Sequence, residues 1–180
     1  FTLDLNGHTL QSVAPFVGSE GTEANAFRFM KGSNITIKNG ELKCIAPSVT
    51  ILVQNFANLT LDNVKLTCKS FTCDYALSNN CGNTTLKNGT TLSKGAKASF
   101  DCYYGLTPEC DEGVSVTIED NSVVVNGGME YKCADRITDT EQFYANAHVY
   151  IPKDYTGVAA PEGYKWVETS DNTKQELVAQ

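Results

Sequence analysis

The sequence predicts an all-β fold, a short right-handed parallel β-helix of about five rungs with a C-terminal capping segment. Three features carry this reading. Five look-alike segments recur along the first 130 residues, each alternates apolar and polar side chains, and each is followed by the same kind of corner residue. Self-similarity at a period of a few tens of residues is the mark of stacked repeat architectures.

The five segments align without gaps through eight residues: Leu3–Leu10 (LDLNGHTL), Ile35–Leu42 (ITIKNGEL), Leu59–Leu66 (LTLDNVKL), Thr84–Thr91 (TTLKNGTT) and Val116–Val123 (VTIEDNSV). Successive copies are offset by 32, 24, 25 and 32 residues, as expected where loops vary in length and strands do not. The alternation is that of a half-buried strand. Leu3/Leu5, Ile35/Ile37, Leu59/Leu61 and Val116/Ile118 are expected to face inward. Asp4, Thr36, Thr60, Thr85 and Thr117 are expected to face outward. The next outward rank is Asn6, Lys38, Asp62, Lys87 and Glu119. Stacked at the interstrand spacing of ~4.8 Å, its last four members alternate in sign and attract.

A corner follows at Gly7, Asn39, Asn63, Asn88 and Asp120. Asn and Asp tolerate the left-handed backbone that a sharp turn needs, and stacked Asn side chains can hydrogen-bond along the stack. Leu10, Leu42, Leu66 and Val123 resume the interior, and Ser12, Cys44, Cys68, Ser93 and Val125 lie two positions further on. A second strand family precedes the core segments: Ala26–Phe29, Thr50–Val53, Asp74–Leu77 and Ser99–Tyr103. A β-sandwich would also need frequent turns, but it gives no reason for identical corners at one register. Helical repeats do not fit the two-residue alternation.

The rhythm changes at Asn126-Gly-Gly-Met129. The β-helix is therefore assigned to residues 1–130, a closing cap to 131–168 and a flexible tail or linker to 169–180. A short helix is expected around Asp139–Gln142 and a strand over Asn146–Ile151, stopped by Pro152. Tyr144, Val149, Tyr150, Ile151, Tyr164, Trp166 and Val167 are expected to cover the open end, because a stack of strands otherwise exposes unpaired edges.

The chain has 21 acidic and 14 basic residues, a net charge of -7, which disfavours a nucleic-acid partner. No stretch approaches the ~20 apolar residues of a membrane span, so no membrane insertion is expected. The chain opens at Phe1 inside a strand, and is read as a monomeric module excised from a longer chain. Seven cysteines favour an oxidising, extracellular setting, secreted or attached to a cell surface. Cys81 and Cys110 lie in loops entering consecutive core strands and are paired on that basis. Cys73 and Cys102 flank the second strand family and form another candidate pair. Cys44 and Cys68 share an inward register and suit either a disulfide or stacked buried thiols. Cys133 is left over. Without Cys-x-x-Cys pairs, and with His8 and His148 far from the cysteines, no metal and no cofactor are expected.

The opening LDLNGHTL resembles the LDLNGHTI rung of pectate-lyase-like, single-stranded right-handed β-helix proteins, and Ile35–Gly40 is similar. The closing Ala160-Pro-Glu-Gly-Tyr-Lys-Trp-Val-Glu168 resembles a segment of large repeat-bearing, adhesin-like surface proteins of Gram-positive gut bacteria. That resemblance implies a non-catalytic module recognising a host molecule, either a protein such as immunoglobulin or a glycan. The fold also implies an alternative, a polysaccharide lyase or hydrolase, for which Asp62 and Glu119 are the carboxylates to test. Their charge-alternating row suits a solvated salt-bridge ladder better than an acid–base pair. A rigid spacer within a surface stalk is the third reading. Candidate binding residues are the outward Thr36, Thr60, Thr85 and Thr117, and the loop residues Tyr103, Tyr104 and Leu106, since Tyr is over-represented at energetic anchors. The Phe16-Val17 loop ranks second. Asn34, Asn58, Asn83 and Asn88 open Asn-x-Thr sequons, which the repeat itself explains.

Overall fold

A computed structural model of the chain describes every residue except 16, 20, 21, 70, 106–109, 135, 136, 138 and 139, and omits the side chains of 19, 22, 23 and 140. The fold is all-β, with strands in two sheets between which the chain alternates. The larger sheet runs in space through β1 (Thr2–Asp4), β5 (Asn34–Cys44), β7 (Asn58–Thr67), β9 (Asn83–Lys87), β12 (Val114–Ile118), β15 (Ala147–Pro152), β17 (Lys174–Ala179) and β16 (Tyr164–Glu168). Beyond the corners, β2 (Thr9–Ser12), β10 (Thr91–Leu92) and β13 (Val124–Val125) belong to the same sheet. The smaller sheet runs through β14 (Met129–Cys133), β11 (Phe100–Tyr104), β8 (Tyr75–Asn80), β6 (Ile51–Asn55), β4 (Thr22–Phe29) and β3 (Val17–Ser19).

Pairing is parallel between repeats, and the register stacks like on like. Leu3, Ile37, Leu61, Leu86 and Ile118 form one inward column. Leu42, Leu66, Leu92 and Val125 form a second beyond the corner. Val53, Leu77 and Phe100 form a third on the smaller sheet. Leu42, Leu61, Leu66, Leu77, Leu86, Leu92, Phe100 and Ile118 are wholly buried, so the two sheets enclose one apolar interior.

The corner asparagines adopt the left-handed conformation, with φ of 57° at Asn39, 56° at Asn63 and 53° at Asn88. At Asn39 and Asn63 the turn is accomplished in a single residue, and β5 and β7 run through it unbroken. The other copies carry extra corner residues that interrupt the strand. In the fourth copy Leu59 faces Thr84, an offset of 25, but Lys65 faces Thr91, an offset of 26. The gapless alignment is therefore corrected at three copies. Val125 and Leu92, not Val123 and Thr91, continue the column of Leu66. In the first copy Thr2 faces Thr36 before the corner, while Thr9 faces Glu41 after it. Two residues are inserted there, Asn6 rather than Gly7 opens the corner at φ 48°, and Asp4 rather than Asn6 stacks on Lys38.

Gly40 accommodates that wider corner. A methyl group at position 40 would clash with Leu5 Cβ and lie 2.5 Å from the His8 carbonyl oxygen. Gly40→Ala is expected to cost about 1–3 kcal/mol by overpacking. Thermal denaturation tests this; an unchanged midpoint would mean that Leu5 moves aside freely.

The C-terminal part departs from the sequence expectation in two respects. Met129–Cys133 is a further parallel strand of the smaller sheet, so the repeat architecture extends past residue 130. Residues 169–180, expected as a flexible tail, contain β17, which pairs antiparallel with both β15 and β16 and buries Leu177. Its polar residues concealed a strand because only Leu177 needs the interior. A helix, α1, spans Thr140–Asn146; the expected start at Asp139 lies outside the described residues. Val149 and Ile151 are fully buried, and Tyr131 packs on Phe143 and Tyr164 at ring distances of 4.9 and 5.0 Å. Tyr144 and Val167 remain exposed.

Candidate functional site

Three outward rows of the larger sheet lie side by side. The threonine row is Thr2, Thr36, Thr60, Thr85 and Thr117, and Tyr150 ends it on β15. Among the described residues the hydroxyls of Thr36, Thr60, Thr85 and Thr117 have no hydrogen-bond partner, because the repeat points them into solvent. One register step earlier stand Asn34, Asn58, Asn83 and Ser115. Asn58 Nδ2 donates to Asn34 Oδ1 at 3.0 Å, Asn83 Nδ2 to Asn58 Oδ1 at 3.0 Å, and Ser115 Oγ to Asn83 Oδ1 at 2.8 Å. Each of these amides retains unused donor or acceptor capacity. Together the rows floor a shallow groove of about 490 Å³, with the exposed Phe1 ring at one end.

The charged row follows. Lys38 pairs with Asp4 at 3.3 Å, Lys87 with Asp62 at 3.4 Å and Lys174 with Glu119 at 3.2 Å. Asp62 also accepts from Asn88 Nδ2 at 2.6 Å. Asp62 lies on β7 and Glu119 just past the end of β12, with β9 between these strands, and each is beside its own lysine. At the corner, Asn63 Nδ2 donates to Asn39 Oδ1 at 3.3 Å and Asn39 Nδ2 to Asp4 Oδ1 at 3.2 Å. Asn88 leaves that ladder for Asp62, and its backbone N–H donates to Asp120 Oδ2 at 2.7 Å. The Asn6 N–H and the Asn39 amide hold the Asp4 carboxyl below the usual range.

The smaller sheet carries a second polar row that sequence reasoning missed. Arg28, Gln54, Ser78, Asp101 and Glu130 stack across five consecutive strands. Tyr75 donates its hydroxyl hydrogen to Glu130, and Lys132 Nζ donates to Tyr75 at 2.8 Å while pairing with Glu130 at 3.1 Å and Asp101 at 3.5 Å. Burial pushes the Asp101 carboxyl up, and its Oδ1 has no partner. Burial likewise raises the Tyr75 hydroxyl. Burial opposes the charge on Lys132, but its bond to Tyr75 and the two carboxylates raise it overall. Glu130 is held down, against its burial, by Tyr75 and Lys132. The group is an ion-paired network in which tyrosine and lysine hold their protons firmly. The second strand family has no shared motif, so its register, and hence this row, could not be read from the sequence.

The tyrosine loop is corrected. Tyr103 and Tyr104 are the last residues of β11; Tyr104 is buried in the interior and Tyr103 is half-buried. The alternation of the strand turns Tyr104 toward the core, so it is not a surface anchor. Leu106 and Phe16 lie outside the described residues. His148 Nδ1 donates to Glu176 Oε1 at 2.6 Å, bridging β15 and β17, and its ring stacks on Tyr150.

Cys81 and Cys110 form a disulfide, with Cα atoms 4.5 Å apart. Of the two alternatives for Cys44 and Cys68 the structure has the buried thiols, and the Cys73–Cys102 pairing is corrected. Cys44 and Cys68 are buried free thiols, and Cys73 and Cys102 are free as well. Phe100 faces Leu77, so Cys102 stands opposite Asn79, six positions along the strand direction from Cys73. At ~3.3 Å per residue that offset is far beyond the reach of a disulfide. No cluster of His, Cys, Asp and Glu among the described residues is arranged for a metal ion. Among the described residues no helix is long and apolar enough to cross a membrane.

Comparison of the chain with protein-family models, curated proteins and solved structures returns no match.

Proposed function

We propose that this chain is an extracellular, non-catalytic binding module, built as a right-handed parallel β-helix, that holds a glycan along the outward Asn/Thr face of its larger sheet. The observation that carries the reading is the groove itself: the same amide and hydroxyl recur on adjacent strands at one register, with the hydroxyls unpartnered. A ligand that repeats its own hydroxyls along its length can meet such a row with the same contact at each step. The coil is supported by the alternation of the chain between two sheets whose repeats pair in parallel, with β4, β6, β8 and β11 each followed by a strand of the larger sheet. Right-handedness follows from the general preference of parallel crossovers. The Cys81–Cys110 disulfide is compatible with an extracellular setting. The pairing of every carboxylate in the charged row favours binding over acid–base chemistry. The resemblance to adhesin-like surface proteins makes host mucin glycans the first ligands to try.

Thr60 sits at the centre of the groove. Thr60→Arg is expected to weaken binding to mucin oligosaccharides at least about tenfold, by filling the groove, while stability changes by about 0.5 kcal/mol or less. Calorimetric titration checks this; wild-type affinity in the variant would remove the ligand from this face. A host protein such as immunoglobulin is the second reading. It is favoured by Phe71, Val13 and Ile45, which are 88%, 67% and 52% exposed beside the strand ends. Capture of immunoglobulin that survives Thr60→Arg but is lost in Phe71→Ser would select it.

A further inference from the structure

The threonine and asparagine rows of the larger sheet both end in rings. Tyr150 stands opposite Thr117 and His148 opposite Ser115, so β15 carries a ring where each earlier strand carries a small polar side chain. The two rings lie nearly parallel, 12° apart, with centroids at 5.8 Å. His148 is held at both nitrogens, Nδ1 by Glu176 and Nε2 by the Ala145 carbonyl oxygen at 3.1 Å. The platform is therefore fixed before any ligand arrives, which spares the entropy of ordering it.

A second cavity, of about 260 Å³, opens on this platform. His148, Tyr150 and Glu112 line it together with Asn83, which also lines the groove, so the two spaces adjoin. The space is smaller than the ~300 Å³ at which sites for drug-sized ligands begin, which suits one sugar ring. Glu112 is exposed on the turn before β12, and its carboxylate has no hydrogen-bond or ion-pair partner among the described residues.

We propose, resting on the glycan reading of the groove, that His148, Tyr150 and Glu112 form its terminal subsite, which takes a neutral galactose-type pyranose at the non-reducing end of the glycan and turns away an acidic one. A pyranose of this type gathers several C–H bonds on one face, and the negative face of an aromatic ring attracts them. Its vicinal hydroxyls both donate to one carboxylate, in hydrogen bonds of the stronger, charge-assisted kind. A glycan attached to a protein offers only its non-reducing end, where such hydroxyls are unsubstituted. An acidic end sugar would bring a second negative charge beside Glu112. Among the described residues no lysine or arginine lines the cavity to offset it, and His148 is already engaged by Glu176.

Calorimetric titration of the full chain with lacto-N-neotetraose, which ends in galactose, and with its sialic acid-capped form tests the proposal. The uncapped sugar should bind at least about tenfold tighter, the scale of one hydrogen bond to a charged group. Tyr150→Ser should weaken the uncapped sugar by a similar factor, and Tyr150→Phe should retain it, because the ring and not the hydroxyl holds the sugar. Glu112→Gln should abolish the preference for the uncapped form. Equal affinity of the wild-type chain for the two sugars, or full affinity in Tyr150→Ser, overturns the terminal subsite; binding that is still lost in Thr60→Arg then leaves the groove reading standing. Failure of both sugars to bind the wild-type chain overturns the subsite and the groove reading together. The wild-type comparison decides the matter even if Tyr150→Ser fails to fold.

Discussion

Replacing Asn79 with alanine is expected to destabilise the fold by about 4 kcal/mol, the largest effect of any polar substitution considered. Asn79 is wholly buried, and its side chain makes four hydrogen bonds. Nδ2 donates to the carbonyl oxygens of Gly82 and Ser115 at 2.7 and 2.8 Å. Oδ1 accepts from Thr84 Oγ1 at 2.6 Å and from Asn55 Nδ2 at 3.0 Å. Asn55 extends the network, accepting from the Ala57 N–H and donating to the Ala57 carbonyl, both at 3.0 Å. The two asparagines thereby satisfy the backbone where the chain passes from the smaller sheet to the larger. Alanine would leave buried carbonyls and a buried amide unpaired, and each such group costs about 1–3 kcal/mol. Gly82 leaves little room for the network to rearrange, because a methyl there would lie 2.6 Å from Asn55 Nδ2. A chain of this length should lose on the order of 10 °C in Tm. Chemical denaturation measures the free energy directly. A loss below about 1 kcal/mol would mean that water replaces the side chain at little cost.

Double replacement of Cys81 and Cys110 by serine is expected to cost about 3.5 kcal/mol, the next largest effect. The bridged residues are 29 apart, and closing a loop of that size removes about this much free energy from the unfolded chain. Cys81 stands at φ 59°, a strained position for a non-glycine residue, so the bridge also helps to hold an unfavourable backbone. The double variant is a cleaner test than reduction, because it leaves no thiol at either position to re-form the bridge. Unfolding in denaturant at matched pH should lower the midpoint and steepen the slope, because the unfolded chain without the link exposes more surface. Equal midpoints for the two proteins would show that the cross-link constrains nothing in the unfolded state.

The repeat was legible because its chemistry recurs at fixed spacing. Ile37, Leu61, Leu86 and Ile118 could be placed in one column from alternation alone, and Thr36, Thr60, Thr85 and Thr117 in the column beside them. A one-residue slip would turn either column to the wrong side, so the hydrophobic pattern itself pins the register. The first copy misled for a physical reason. LDLNGHTL and ITIKNGEL match as text, yet two residues of the former are spent on a wider corner, which the missing side chain of Gly40 permits. The smaller sheet lacks a shared motif, and its polar row of Arg28, Gln54, Ser78, Asp101 and Glu130 is visible only once the strands are paired.

By itself, the sequence determined the period of the repeat, the side chains of the strands before the corners that face inward, and the asparagines that turn the three middle corners. These depend on local alternation and on the backbone freedom of asparagine, both properties of neighbours in the chain. Only the tertiary structure decided which thiols meet, where the buried asparagines find their partners, that Tyr104 is core and that the polar C-terminal stretch closes the sheet edge. Those outcomes are set by the offsets between strands, and an offset is fixed by the lengths of the loops and corners between them, which the pattern within any one strand does not encode.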